Sequence, residues 1–167
     1  KSLRIKSIHD ERDIIIVNPP ESDRCYSSIW NNDPIGRTHA KSCLDSNGCW
    51  AAKINDKKQW MIIDLKKKKE IRGFINMARY NYECSQQVTK LMFLISDDKI
   101  MWTNCGEFEC SAVDSDNYLN EQFINPKRKV SIGTPLKARY VKIVPTEWEN
   151  HISLRFGLLI KEYSSKR

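Results

Sequence analysis

Residues 60–65 read Trp60-Met61-Ile62-Ile63-Asp64-Leu65, a short apolar run between polar neighbours. The set Met61, Ile63 and Leu65 alternates with polar Asp64, as in a strand with one buried face, so we assign these three to the core. Helical periodicity is nearly absent elsewhere. Comparable runs bounded by turn residues recur at Ile14 to Val17, Ile71 to Met77, Thr89 to Ser96, Arg139 to Val144 and Leu154 to Tyr163. This spacing predicts an all-β antiparallel sandwich.

The length and composition fit one globular domain. The chain has 167 residues, of which 40% are hydrophobic and 29% charged. No stretch approaches the roughly 20 apolar residues that a membrane helix needs. The segment from Lys1 to Asp13 is charged throughout and does not resemble a signal peptide, so we expect a mature segment or an excised piece of a larger protein.

The six cysteines are an even number, and none forms a Cys-x-x-Cys pair of the kind that builds zinc sites. Disulfide bonds are therefore the favoured use, which predicts a secreted protein or the outer face of a cell. Free intracellular thiols or a metal site are the alternative. The six are Cys25, Cys43, Cys49, Cys84, Cys105 and Cys110.

The formal net charge is +7, from 28 Lys and Arg against 21 Asp and Glu. Such an excess permits anionic partners, including anionic lipid and sulfated glycan. The basic runs Lys66 to Lys69 and Lys127 to Lys129 are interpreted first as solvated turns. No nucleic-acid partner is expected, because the aromatic residues do not interleave with the basic runs and so provide no stacking platform.

Residues 1–24 differ in composition from the rest of the chain. Equal numbers of basic and acidic residues surround one apolar run, Ile14 to Val17, which ends at Pro19-Pro20. Proline lacks the amide donor that further pairing needs. We interpret 1–24 as an extension with an added strand, 25–163 as the main domain and 164–167 as a tail. A segment ordered only by other parts of a longer protein is the alternative for 1–24.

A series of short motifs follows in order along residues 26–160. The motifs are Ser27-Ser28-Ile29-Trp30, Cys43-Leu44-Asp45-Ser46, Gly48-Cys49-Trp50-Ala51-Ala52, Gln59-Trp60 through Leu65, Ile71-Arg72-Gly73-Phe74, Val88-Thr89-Lys90, Ser96-Asp97-Asp98 with Trp102, Phe123-Ile124-Asn125-Pro126, Ala138-Arg139-Tyr140-Val141-Lys142-Ile143 and Ile152-Ser153-Leu154-Arg155-Phe156. No single motif is decisive, but the order of the set resembles that of a discoidin domain, also called an F5/8 type C domain.

The resemblance implies a jelly-roll β-sandwich of about eight core strands that holds its ligand with three loops at one end. By motif, these first, second and third loops are Ile29 to Lys41, Trp50 to Lys58 and Ala78 to Gln87. The candidate ligand-binding residues on them are Ile29, Trp30, Ile35, Arg37, Lys53, Ile54, Arg79, Tyr80 and Tyr82. Two alternatives stay open: Trp30 as a core residue at the base of its loop, and an inward orientation for one of the two tyrosines.

The chain departs from the resemblance at its cysteines and at its calcium ligands. The family usually closes its two ends with a terminal disulfide, yet no cysteine follows Cys110. Members that hold calcium carry a carboxylate in the last strand, where this chain has Gly157. Asp45 alone offers too few oxygens, so no cofactor is expected and structural calcium is disfavoured. The pairings we expect instead are Cys105 with Cys110, Cys43 with Cys49, and Cys25 with Cys84.

Two further features depart from the pattern of the resemblance. In the run Leu91 to Ile95 alternate residues face the core, which leaves the apolar Met92 and Leu94 on the outward face. An outward apolar pair needs a cover, from the added strand at Ile14 to Val17 or from a partner protein. An insertion at 127–135, which contains the second basic run, is interpreted either as a contact surface or as a mobile loop.

No sequence feature points to catalysis. The chain has no nucleophile elbow and no phosphate-binding glycine loop; His9, His39 and His151 lie in unrelated contexts, and His151 is interpreted as a turn residue. Three binding hypotheses remain, because a fold does not determine a function. We favour a non-catalytic extracellular adhesion module that recognises a surface or secreted protein, followed by a lectin-like glycan module. An anionic phospholipid surface comes third, because the loops lack paired Trp or Leu tips.

Overall fold

A computed structural model describes residues 13–79, 86–110 and 129–163, and these ranges form an antiparallel β-sandwich, as predicted. The sheet order is β1-β8-β4-β7-β5-β6, with β2 beside β4 and β3 beside β8. The two short 3-10 turns span Glu21–Asp23 and Trp30–Asn32. The strands are β1 (Ile14–Val17), β2 (Arg24–Tyr26), β3 (Trp50–Ala51), β4 (Met61–Met77), β5 (Gln87–Ser96), β6 (Thr103–Glu109), β7 (Lys129–Glu149) and β8 (Ser153–Lys161).

Strand β4 carries the sheet from one layer of the sandwich into the other. It leaves the base of the second loop at Met61 and returns at Met77, which pairs with Arg155 near the start of β8. Its bend lies at Lys66, which has a φ of 67°, and the pairing with β7 changes register there. The two predicted strands 60–65 and 71–77 are thus the halves of one strand. We call the end with the three loops the loop end, and the end with this bend the far end.

Aromatic rings fill the space between the two layers. Phe74 of β4 stacks on Phe93 of β5 at 5.7 Å between centroids and on Phe156 of β8 at 5.3 Å. Stacked and edge-to-face pairs at this spacing contribute about 1 kcal/mol beyond the area that they bury. Met61, Ile63 and Leu65 belong to the same buried cluster, so the predicted core assignment is confirmed.

The added strand is present as predicted, but it does not cover Met92 and Leu94. Strand β1 pairs with β8, at the opposite edge of the sheet from β5. Its Ile14 and Ile16 pack against a separate small cluster. That cluster consists of Leu44, Ile75, Met77 and Leu159.

The outward apolar pair on β5 is half-buried by its own neighbours in the sheet. Leu94 lies opposite Lys142 of β7. The ammonium of Lys142 lies 4.5 Å from the ring centroid of Trp102 and 5.9 Å from that of Trp60. The expectation that 14–17 covers Met92 and Leu94 was wrong, because this strand pairs with the edge of β8 instead.

The described part of the predicted insertion at 127–135 belongs to a strand and is not a mobile loop. From Lys129 onward it forms the first part of β7, and Ser131 pairs with Gly73 of β4. Lys127 and Arg128 lie outside the described residues. A register shift between Leu136 and Ser131 accommodates the extra residues, which include Gly133 at a φ of 78°.

One buried arginine fastens the N-terminal segment to the sandwich. The Arg24 guanidinium donates hydrogen bonds to the carbonyl oxygens of Pro19, Ser42 and Phe156 at 2.9, 3.0 and 2.6 Å. It also donates to the Asn18 side-chain oxygen at 2.9 Å. Because these contacts reach three chain segments, Arg24 ties the residues that follow β1 to the 42–44 loop and to β8.

The structure does not contain the predicted disulfide between Cys105 and Cys110, which both carry thiols. The two residues belong to β6 and to its end, and five residues of extended chain span roughly 16 Å, well beyond the 7 Å that a disulfide tolerates between Cα atoms. Cys43 is also a thiol, and its sulfur donates to the Pro19 carbonyl at 3.2 Å, so it does not form the expected bond with Cys49. Cys25 carries a thiol too, and Cys84 lies outside the described residues.

Candidate binding surface

Two serines join the first loop to the base of the second. The hydroxyls of Ser27 and Ser28 both donate to the side-chain oxygen of the buried Gln59, at 2.8 and 2.5 Å. The indole N–H of Trp50 donates to the Ser28 carbonyl at 2.9 Å. Trp50 is fully buried and stacks on Tyr26 at 5.4 Å between centroids. The two loops therefore begin from one rigid platform.

Trp30 is 49% exposed, so the alternative of a core role for it does not hold. It opens a short 3-10 turn in which Asn31 and Asn32 have φ values of 59° and 49°. Asparagine tolerates this left-handed region better than most residues. The ring of Trp30 meets the ring of His151 edge-on, with centroids 5.5 Å apart and planes at 90°. This contact fixes the orientation of a half-exposed indole.

The second loop places a charge and an apolar side chain beside this turn. The ammonium of Lys53 donates to the side-chain oxygen of Asn32 at 3.2 Å, and its backbone N–H donates to the Ser28 hydroxyl at 3.0 Å. The next residue, Ile54, is 55% exposed. Asn55 accepts a hydrogen bond from the backbone N–H of Ile152 at 2.9 Å. The structure therefore brings Trp30 and Lys53 together and holds both on fixed backbone.

The turn between β7 and β8 is part of this surface, although sequence reasoning assigned it no binding role. His151 contacts Trp30, and Asn150 before it has a φ of 59°. The Ser153 hydroxyl donates to the Gln86 side-chain oxygen at 2.8 Å, which links the turn to the base of the third loop. Only its position in the sequence could have pointed to His151. It lies in the connection between the predicted strands Arg139 to Val144 and Leu154 to Tyr163, and an antiparallel connection there falls at the loop end.

The described residues include the base of the third loop, from Ala78 to Arg79 and from Gln86 to Gln87. Arg79 is half-buried, and its guanidinium donates to the Gln86 side-chain oxygen at 3.3 Å, while its backbone N–H donates to the Gln86 carbonyl at 3.2 Å. Arg79 therefore contacts its own loop. Tyr80 and Tyr82 lie outside the described residues, so their role as ligand contacts stays a prediction.

The remaining candidates of the first loop are Ile29, which directly precedes Trp30, and Ile35 and Arg37, which lie further along the loop. Arg37 is exposed and lines a depression of about 440 Å³ with Gly36, Thr38, Lys41 and Asn47. Ile35 is exposed and Ile29 is half-buried. This part of the loop folds back on itself through hydrogen bonds from Gly36 to Ala40 and from Arg37 to Pro34.

An Asp–His pair stabilises the middle of the first loop. Nδ1 of His39 lies 2.7 Å from the Asp33 carboxylate. The hydrogen bond from His39, with others from the Asn31 amide and the His39 backbone, holds the pKa of Asp33 below its usual value. The loop is thus ordered by its own polar contacts.

The described ranges contain neither a metal-binding cluster nor a membrane-spanning helix. No group of three His, Cys, Asp or Glu residues in 13–79, 86–110 and 129–163 is arranged to hold a metal ion. Asp45 is exposed and accepts a hydrogen bond from the Asn18 amide at 3.0 Å. No helix in these ranges is long and apolar enough to cross a bilayer.

Comparisons with known proteins agree with this arrangement of strands and loops. Lactadherin of Mus musculus is 32% identical over 146 residues, which are 84% of this chain and 31% of that protein. Coagulation factor VIII of Mus musculus is 29% identical over 127 residues, which are 74% of this chain and 5% of that protein. The chain thus spans about a third or less of the curated relatives it matches.

Among solved structures, discoidin II of Dictyostelium discoideum superposes with a TM-score of 0.57 at 21% identity, covering 85% of this chain and 56% of that one. A family 32 CBM from C. perfringens NanJ, solved in complex with galactose, gives 0.59 at 16% identity and covers 87% and 99%. At these identities the likeness concerns the fold. Residues 26–158 match the model of the F5/8 type C domain family, and the chain belongs to this family.

Proposed function

We propose that the protein is a non-catalytic adhesion module that acts outside the cell and recognises another protein through its loop end. One observation supports this proposal most directly. Trp30 and Ile54 stand about half exposed on two joined loops, and the ammonium of Lys53 donates a hydrogen bond to Asn32 in the turn that Trp30 opens. An exposed Trp on rigid backbone is a typical anchor of a protein interface, and a neighbouring apolar side chain adds to the area that the partner buries.

The composition of this surface favours a protein over a glycan or a lipid. A branched aliphatic side chain such as Ile54 adds little to sugar binding, which depends on aromatic faces and directed hydrogen bonds. Amide side chains follow Trp30 at Asn31 and Asn32, and burying such groups in hydrocarbon without partners is costly. A protein interface satisfies both needs, because it buries apolar anchors in its centre and hydrogen-bonds polar groups at its rim.

A glycan is the second candidate, and the contact between Trp30 and His151 favours it. That contact holds one half-exposed indole in a fixed orientation, and Lys53 is held beside it by Asn32. An aromatic surface with a few fixed donors is what a shallow sugar site requires. Family membership and the bound galactose of the related fold support this second candidate without deciding between the two.

The test uses binding of the labelled protein to intact cells of the organism that produces it. For a protein partner, we expect binding to disappear after the cells are treated with trypsin and to survive mild periodate oxidation of their glycans. The double variant Trp30→Ala, Ile54→Ser is expected to lose roughly 30-fold or more in affinity, since such an anchor contributes about 2 kcal/mol or more.

The matched control is Ile15→Ser, which removes an exposed isoleucine on β1, outside the loops. It is expected to bind like the unaltered protein. Binding that periodate abolishes would favour the glycan, and binding that neither treatment affects would favour lipid. A double variant that folds and still binds normally would contradict the assignment of the surface.

A further inference from the structure

Strand β1 is an open edge of the sheet that carries only apolar side chains. The sheet order ends at β1 on one side and at β6 on the other, and no described residue pairs with the outer side of β1. Strand β1 pairs with β8 without a register shift and consists of Ile14, Ile15, Ile16 and Val17. Because β-branched residues favour the extended conformation, this edge is already formed before anything binds to it.

The opposite edge of the sheet has features that prevent pairing with another chain, and β1 lacks them. Strand β6 contains Gly106 at a φ of 117° beside a register shift, and it carries the carboxylates of Glu107 and Glu109. Natural sheets use bulges and charges of this kind to keep an edge from adding a strand. Strand β1 has neither a charged side chain nor a bulge. The two edges are therefore not equivalent, and β1 is the one suited to a contact.

The register with β8 determines which backbone groups of β1 face outward. The N–H of Glu162 donates to the Asp13 carbonyl at 3.0 Å, so these two residues form a hydrogen-bonded pair just beyond the ends of the two strands. Such pairs occur at every second residue of an antiparallel ladder, so Ile14 and Ile16 direct their N–H and C=O groups away from β8. No described residue hydrogen-bonds to these groups. The outer side of β1 therefore offers two donors and two acceptors.

These groups are complementary to the same strand of a second copy. In antiparallel pairing about a two-fold axis at Ile15, Ile14 of each copy lies opposite Ile16 of the other, and all the outward groups of both strands form hydrogen bonds. Ile15 is 38% exposed, and it then faces Ile15 of the second copy in a non-hydrogen-bonded pair, where side chains lie closest. Asp13 lies opposite Val17 of the second copy, so no like charges meet across the contact.

We propose that the protein self-associates through β1, so that two sandwiches share one continuous sheet. A second copy is the occupant that fits this edge, because the register that uses every outward backbone group is also two-fold symmetric and places apolar side chains opposite each other. Two strands of four residues make a contact below the roughly 1,200 Å² of buried area at which stable interfaces begin, so association is weak and needs a high local concentration.

The antiparallel arrangement has a consequence for the loop ends. Each β1 has a fixed direction relative to its own loop end, so the loop ends of two paired copies point in opposite directions. A pair of copies then presents one candidate binding surface on each side and bridges two partners. This bridging role rests on the proposed function of the loop end, whereas self-association through β1 does not.

The experiment is sedimentation velocity of the whole chain, with reductant present, over a concentration series that reaches the millimolar range. Self-association is expected to grow with concentration and to strengthen with salt, because each copy carries a net charge of +7. Ile15→Lys and Ile15→Glu each place like charges opposite each other at the axis, and each should weaken association by about tenfold or more. An equimolar mixture of the two variants should associate more strongly than either alone, because opposite charges then face each other.

The matched control is Ile54→Lys, the same change at an exposed isoleucine of the loop end, and it should leave self-association unchanged. A chain that stays monomeric at every concentration would overturn the proposal and would leave the edge to a strand of a different protein. Association that the Ile15 variants leave intact, or that Ile54→Lys weakens equally, would overturn it by placing the contact elsewhere. If both Ile15 variants are folded and their mixture shows no recovery, the two-fold register at Ile15 is wrong.

Discussion

The guanidinium of Arg139 makes two hydrogen bonds to the Asp64 carboxylate, at 2.9 and 3.0 Å, where β4 begins its bend. This contact is the main reason that the pKa of Asp64 is lowered to about 2. The pKa of an aspartate in an unfolded chain is about 3.9. The stabilisation is therefore fully present above about pH 4 and is lost as the pH falls toward 2. Urea unfolding measured across this range should show the loss, and Asp64→Asn should abolish that part of it.

A comparison for this prediction is Asp97→Asn, which removes the partner of Lys68. Both side chains of that ion pair are more than half exposed, and exposed pairs contribute little to stability. The curve of stability against pH should be nearly unchanged. If Asp64→Asn gave the same curve as the unaltered protein, another acid group would be responsible.

The state of the cysteines is directly measurable. Burial is the main cause that raises the pKa of Cys43 and of Cys110 to about 12 each, and it also raises the pKa of Cys105. Because the thiolate is the reactive form, we expect slow alkylation of Cys43 and Cys110 in the native protein at pH 7 and rapid alkylation after unfolding. Intact-mass analysis records both. Failure of Cys105 and Cys110 to react even when unfolded without reductant would restore the disulfide that the sequence predicted.

Removal of residues 1–20 is expected to lower the free energy of unfolding. The truncation removes the β1–β8 pairing and the packing of Ile14 and Ile16, and it deprives Arg24 of the Pro19 carbonyl and the Asn18 amide oxygen. Buried donors left without partners cost about 1–3 kcal/mol each. Thermal and urea unfolding measure the change. The point variants Ile16→Ser and Ile15→Ser separate the causes, since only the first residue packs against the small cluster, and equal stability for both would contradict this account.

Gly73 lies where β4 and β7 approach each other. A Cβ at this position would collide with the carbonyl oxygen of Val130, a backbone atom in a paired strand. We therefore expect Gly73→Ala to destabilise the protein by about 2 kcal/mol or more. Gly157→Ala is the comparison, because there the Cβ would meet the Leu44 side chain, which has more freedom to move. Unfolding midpoints of the two variants should differ in that order, and the opposite order would count against the close approach.

Strands with a clear apolar run were predictable from the sequence, whereas β6, which has few apolar residues, was missed. Met61, Ile63 and Leu65 were correctly placed in the core because a period of two is a direct consequence of strand geometry. Strand β6 was missed because only Cys105 and Phe108 pack against the core, with Gly106 at a φ of 117° between them. Such a bulge breaks the alternation that a sequence pattern depends on.

The candidate surface was predictable as a set of loops, but its geometry was not. Trp30 and Trp50 are both tryptophans beside loops, and only tertiary packing makes the first half exposed and the second fully buried. His151 joins the surface through contact with Trp30, more than a hundred residues away along the chain. Arg37 belongs to the same loop as Trp30 yet lines a depression with Gly36, Thr38, Lys41 and Asn47. Proximity across the fold therefore decides which candidates lie together.

The continuous path of β4 and β7 through the far-end bend has a mechanical consequence. Strands β4, β5, β7 and β8 all run between the far end and the loop end, so a force that pulls these two ends apart acts along the strands. The ladder hydrogen bonds are then loaded together in shear, whereas a force across the strands would open them one at a time. A domain that carries tension between two attachment points resists extension best when its strands are aligned with the load, and this sandwich has that alignment.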